Sequence, residues 1–239
     1  MTLCLAWSRQ VPVLGSQLLM ATDSMVTGGL DFPHSVKLFP FARNDCAICW
    51  EGEAFFPYAM IANIRNDIDY SDVLSGASTD IRGVAQRALS IINDLWSANL
   101  ADPQSRCKDD NFSFIFAGYS HREQIALAWH INRPNGQQQA FELQPLQLPA
   151  PYYIGSGKPN AEELATSHPT LRPEEILQRV IDDPNVRDVG GPPQLLTIDR
   201  RGVENVGIIV DGRRYLFGKE LSSAGHGRHV RYVQAITDV

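Results

Sequence analysis

Four cysteines in 239 residues are too few for the disulfide framework of a secreted scaffold. Basic residues are also in deficit, with 21 Lys and Arg against 27 Asp and Glu, a formal net charge of −6. That balance argues against nucleic acid or an anionic membrane as the main partner, because both reward basic patches. No apolar run approaches the roughly 20 residues of a membrane span. The first residues lack the basic flank and small-residue cleavage site of a secretory signal. The expectation is a cytoplasmic protein. Repeats, low-complexity tracts and linker-like stretches are absent, so residues 1–239 read as one domain. What is present is an ordinary globular mixture, 44% hydrophobic and 20% charged, long enough to bury a substantial core.

The order of elements is legible from periodicity. "TLCLAW" and "QLLMATDS" read as a strand pair, and "VKLFPFA" and "DCAICWE" as a second pair joined by "RND". Their consecutive apolar residues suit strands covered on both faces. "EAFFPYAMIANIRNDI" then reads as a helix with Pro57 in its first turn. Beyond a cap at Ser78 or Thr79, Ile81, Val84, Ala85, Ala88, Ile91, Ile92, Leu95 and Trp96 recur at helical spacing. Strands return in "NFSFIFAGYS", "QIALAWHIN", "QAFELQPL" and "YYIGSG". Two proline-started helices follow, "PNAEELATS" and "RPEEILQRVID", and then the strands "QLLTIDRRGVENVGIIV" and "RRYLFG", with a last one near the tail. Two sheets face to face with helices outside both give the expected fold class, α/β, a four-layer α/β/β/α sandwich.

"CAIC" has the spacing of redox and zinc motifs. On a strand, however, Cys46 and Cys49 point to opposite faces, so two small core residues are expected. No second such pair completes a zinc set. "GSGKPN" lacks the full phosphate-loop pattern. His226 and His229 have near-metal spacing but no acidic or thiol neighbour. No metal or organic cofactor is expected.

Several landmarks, in order, give the chain a specific likeness. A threonine opens the first strand. "MATDSMVTGG" ends the second, "VKLFPF" follows, and "CAICWEGEAF" closes a strand with glycine before the first helix. "SFIFAGYS", "GSG" and "VRDVGG" complete a set reaching to about residue 200. This series resembles the proteasome-type N-terminal nucleophile hydrolases. The resemblance implies a threonine peptidase in which Thr2, exposed by removal of Met1, is the nucleophile and its own α-amine the base. A free α-amine titrates near about 7.7–8.0, close to working pH, so its neutral form is well populated. The resemblance assigns Asp23 and Lys37 to tuning Thr2, the Gly52 N–H to the developing oxyanion, and Ser156 and Asp188 to holding the amine. Trp50 would then wall the pocket for the residue before the cut bond.

The same resemblance implies peptide or unfolded-protein substrates, a homo-oligomeric ring, and a separate ATP-dependent unfoldase as partner. One position departs from the pattern. Where the family carries a serine three residues after its aspartate, this chain has Gly191, followed by Pro192 and Pro193. The alternatives are therefore a catalytically silent subunit of the same fold and an amidohydrolase of the same class acting on a small amide.

Overall fold

The computed structural model describes residues 2–27, 31–76, 78–102, 111–134, 139–221 and 230–234. The first hairpin is β1 (Cys4–Val11) and β2 (Gly15–Thr22), in antiparallel register from Cys4 opposite Thr22 to Val11 opposite Gly15. β3 (Leu38–Pro40) and β4 (Cys46–Gly52) form the second, and Lys37 lies one residue ahead of it. Then come α1 (Phe55–Tyr70), α2 (Ile81–Ala101), β5 (Phe112–Ser120), β6 (Ile125–Asn132), β7 (Glu142–Pro145) and β8 (Tyr152–Ile154). The chain continues through α3 (Lys158–Ser167), α4 (Pro173–Asp182), β9 (Gln194–Asp199), β10 (Gly202–Val210), β11 (Arg213–Leu216), β12 (Lys219–Glu220) and β13 (Arg231–Gln234).

The strands form two sheets. One runs β12-β11-β10-β9-β2-β1-β8, with β13 added beside β10. The other runs β3-β4-β5-β6-β7. Every described pairing is antiparallel except β10 with β13. The expected four-layer α/β/β/α sandwich is thereby corrected. Among the described residues thirteen strands carry the structure and four helices accompany them, so the fold there is predominantly antiparallel β. The four helices read from the sequence are the four described; what the sandwich expectation overstated was their weight, since it gave them two whole layers beside the sheets. The two residues of β12 offer too few positions to show a period of two, and the order in which strands pair is not a local property of the sequence.

Alternation along the strands divides the interior. On β1 and β2, Leu5, Trp7, Leu19 and Ala21 face Ile176, Leu177 and Val180 of α4. On β4 and β5, Ile48, Trp50, Phe114 and Phe116 face Met60, Ile64, Val84 and Ile92 of α1 and α2. The opposite parity, Cys4, Ala6, Leu18, Met20, Ala47, Cys49, Ile115 and Ala117, fills the space between the sheets. Each fully buried Leu, Ile or Phe contributes on the order of 1.5–3 kcal/mol. Cys46 and Cys49 fall on opposite faces of β4 in this division, both as free buried thiols. Helix α2 is capped by Asp80, whose carboxylate accepts from Arg82 N at 3.1 Å, and not by the expected Ser78 or Thr79. No described helix is long and apolar enough to cross a membrane. His226 and His229, read from the sequence as having near-metal spacing, lie outside the described residues.

Candidate active site

β1 and β2 end side by side, so the residues that flank them, Thr2 and Asp23, are neighbours. Asp23 N donates to Leu3 O at 3.3 Å, and Leu3 N returns a bond to Asp23 Oδ1 at 3.1 Å. Lys37 enters from the segment before β3. Its Nζ donates to Thr2 Oγ1 and lies 3.0 and 3.1 Å from the two Asp23 carboxylate oxygens. Thr2, Asp23 and Lys37 are all 0% exposed, so no water screens this group. A buried ion pair is tolerated only where its remaining donors and acceptors are met. Met25 N and Gly190 N supply Asp23 Oδ2 with two more donors, at 3.1 and 3.2 Å. Burial pushes the Asp23 carboxyl above its ordinary value. The Lys37 charge and the backbone N–H groups of Leu3 and Gly190 oppose that push.

The "GSG" turn closes over the other side of Thr2. Ser156 Oγ accepts from Thr2 N at 3.2 Å, and Gly157 N donates to Thr2 O at 3.2 Å. Gly155 has a φ of +98°, and a Cβ there would lie 2.1 Å from Thr2 O. Only glycine lets the turn approach the first strand this closely.

The structure thus brings Thr2, Asp23, Lys37 and Ser156 into one hydrogen-bonded group. Gly52 ends β4 opposite Phe112, next to Glu53, whose N donates to Asn111 O at 3.2 Å. Asp188 is not drawn into the group. It is half-buried two residues before Gly190, and its carboxylate makes no hydrogen bond or ion pair among the described residues. The expectation that Trp50 walls an open pocket is corrected. It is 0% exposed in the core beneath α1, with its ring centroid 5.8 Å from Lys37 Nζ and 5.1 Å from the Tyr58 ring. Its place on β4 gives it the same outward parity as Cys46 and Ile48, so it packs against helix and not into a cleft.

Two organising residues escaped the sequence reading. Gln194, at the head of β9, accepts from Lys37 N at 3.1 Å and donates to Asp23 O and Ser35 O at 3.3 and 2.8 Å. It clamps the lysine's segment to the aspartate's. Its signal was a lone amide opening the apolar run "QLLTID" after two prolines. Ser24 is the other, with Oγ 2.7 Å from both Pro33 O and Pro192 O. Among the described residues, no group of three or more His, Cys, Asp or Glu side chains could hold a metal ion. Compared with known proteins, the chain matches no family model and no curated protein.

What the group can do follows from its chemistry. A fully buried ammonium donating to a hydroxyl favours the alkoxide form of that oxygen. The Asp23 carboxylate beside it, 3.0 Å from Nζ, holds the lysine in place over that oxygen. A threonine so placed is an activated nucleophile, provided that a base takes its proton.

Proposed function

We propose that this chain is a threonine peptidase of the N-terminal nucleophile type. The observation that carries the reading is the buried Lys37 ammonium shared between Thr2 Oγ1 and the Asp23 carboxylate. In the proposed reaction Met1 is removed and the freed α-amine of Thr2 takes the hydroxyl proton as Oγ1 attacks the scissile carbonyl carbon. The same amine then returns that proton to the leaving amine as the C–N bond breaks, leaving an ester on Thr2. Water, deprotonated by the amine, hydrolyses the ester. Ser156, already 3.2 Å from Thr2 N, orients the amine, and the Gly52 N–H is the proposed oxyanion donor. Asp188 would have to move to join the amine.

Short or unfolded peptides are the proposed substrates, within a homo-oligomeric ring served by a separate ATP-dependent unfoldase. Phe55, Tyr70 and Val73, 75, 85 and 66% exposed on and beyond α1, offer apolar surface for ring contacts. The test combines intact mass, fluorogenic peptide hydrolysis and the Thr2→Ala variant. Loss of the mass of Met1, with hydrolysis that vanishes in Thr2→Ala, supports the reading. Hydrolysis undiminished in Thr2→Ala overturns it.

The complete burial of Thr2 and the unengaged Asp188 favour a second reading, a catalytically silent subunit. Retention of Met1 in the purified protein, with no turnover of peptide or small-amide substrates, would establish it.

A further inference from the structure

A second polar group lies at the same end of the inter-sheet layer, and the reaction proposed above makes no use of it. Along β4, Glu51 shares the parity of Ala47 and Cys49. Along β5, Ser113 shares that of Ile115 and Ala117, and along β6, His130 shares that of Ala126 and Ala128. All three therefore face the first sheet, where Tyr152 meets them from β8. Ser113 Oγ is 2.8 Å from Glu51 Oε1, His130 Nε2 is 3.0 Å from Ser113 Oγ, and Tyr152 Oη is 2.9 Å from His130 Nδ1. Ser113 and His130 are 6 and 8% exposed, so the middle of this chain is dry. One end is half-buried Tyr152. The other end, Glu51, borders the Thr2 turn: a Cβ built on Gly155 would lie 3.4 Å from Glu51 Cβ and 2.1 Å from Thr2 O.

The atom types fix how protons sit along the chain. An ionised Glu51 only accepts, so Ser113 O–H donates to it. The serine lone pair then accepts His130 Nε2–H, and the bare Nδ1 accepts Tyr152 O–H. A protonated Glu51 reverses every bond. Its O–H donates to Ser113 Oγ, Ser113 O–H donates to Nε2, and Nδ1–H donates to Tyr152 Oη, whose own proton points to solvent. The two arrangements differ by one proton, taken up at Tyr152 and delivered to Glu51, with the imidazole neutral in both.

We infer that Tyr152, His130, Ser113 and Glu51 form a proton relay between the protein surface and the Thr2 end of the inter-sheet layer. Its use in turnover rests on the hydrolase reading; its existence does not. In turnover, Glu51 is a positioning and buffering group that exchanges its proton with the surface through the relay and not through the Thr2 site, where substrate and water enter. The charges facing the relay are the N-terminal ammonium and Lys37 on Glu51, Lys158 on His130 and Glu162 on Tyr152. Burial raises the Glu51 carboxyl above its ordinary value, against the Ser113 hydrogen bond and the Lys37 charge, and burial holds His130 down at about 4. Burial thus disfavours the charged form of each group, the carboxylate of Glu51 and the imidazolium of His130.

The relay is tested by NMR on the whole protein, labelled with ¹⁵N-histidine and ¹³C-glutamate and titrated from pH 8 to 4.5. The expected result is a neutral His130 that changes from the Nε2–H to the Nδ1–H tautomer in step with the Glu51 carboxyl. In Ser113→Ala, Glu51 should titrate with no tautomer change. A His130 tautomer that stays fixed while Glu51 titrates in the unaltered protein overturns the relay, and that measurement needs no variant to fold. Coupling that survives Ser113→Ala overturns it equally. In peptide hydrolysis, Ser113→Ala should lower kcat about 10- to 100-fold with KM within about twofold. Normal kcat in Ser113→Ala, alongside a dead Thr2→Ala, would overturn the relay's part in turnover while sparing the hydrolase. Hydrolysis unaffected by Thr2→Ala would instead remove the hydrolase and leave the tautomer result standing.

Discussion

Two ion pairs among the described residues are almost wholly removed from water, and they are used differently. Arg43 and Asp45, with side chains 1 and 5% exposed, face each other two residues apart in the turn of the second hairpin. The guanidinium makes two parallel bonds to the carboxylate, at 2.5 and 2.8 Å, and its other donors reach Leu74 O and Thr79 O. Four of its five N–H donors are spent on backbone and carboxylate, so it ties the hairpin to the segment leading into α2. Lys37 and Asp23 are at 0% exposure and join segments that only the fold brings together. Asp23 is saturated by backbone N–H groups, as a structural carboxylate should be, but Lys37 gives a bond to the hydroxyl of Thr2. A planar fork suits the first task and a compact, rotatable ammonium the second. The difference teaches that burial alone does not mark a functional pair. A donor committed to a potential nucleophile does.

The sharpest way to break the comparison is to remove each cation. Lys37→Met keeps the volume and deletes the charge, and should lower peptide hydrolysis by at least about a thousandfold, comparable to Thr2→Ala. Arg43→Ala should leave turnover per folded molecule unchanged while costing about 3–5 kcal/mol of stability, read by urea unfolding, because Asp45 is left buried without its partner. Equal losses of activity in both variants would erase the distinction.

A smaller effect concerns His130. Its folded pKa of about 4 lies below the ordinary 6.5. The unfolded chain therefore binds a proton that the folded one refuses as pH falls from 6.5 to 4. Stability contributed by the neutral ring is complete above 6.5 and declines through that window, by about 3 kcal/mol in total. Glu51, raised in the folded state, works in the opposite direction. The reading is thus the difference between the unaltered protein and His130→Gln in urea unfolding at pH 7, 6, 5 and 4.5, with the variant showing the shallower acid loss.

The smallest expected effect sharpens the account of Gly191. It has a φ of +71°, and a Cβ there would lie 2.3 Å from Pro33 O and 2.6 Å from Ser24 Oγ. Gly191→Ser should therefore lower stability by about 1–3 kcal/mol and restore no hydroxyl to the Thr2 amine. A stable, more active Gly191→Ser protein would show that the departure at this position is functional and not steric.

Much of the element order was legible in advance. The β1–β2 and β3–β4 hairpins, α1 with Pro57 in its first turn, and α2 from Ile81 carried their period in adjacent residues. The divergence of Cys46 and Cys49 was legible too, since alternation on a strand is local. The balance of the architecture was not, because sheet order is set by pairing between distant segments and the two-residue β12 gains its identity by pairing alone. In the candidate site, Thr2, Asp23, Lys37 and Ser156 were named beforehand and meet in space. Trp50 was misplaced because its outward parity depends on which face of β4 meets the helices. Gln194 was missed because a single amide has no pattern.

The primary structure by itself determined the strand and helix periods, the acidic balance and the glycine, Gly155, that a close turn around Thr2 demands. Only the tertiary structure decided that Lys37 reaches Thr2 across 35 residues, Ser156 across 154 and Gln194 reaches Lys37 across 157. The reason is the range of the forces involved. Periodicity and steric freedom act between neighbours in the chain, whereas a buried hydrogen-bonded charge exists only once distant segments have excluded the water between them.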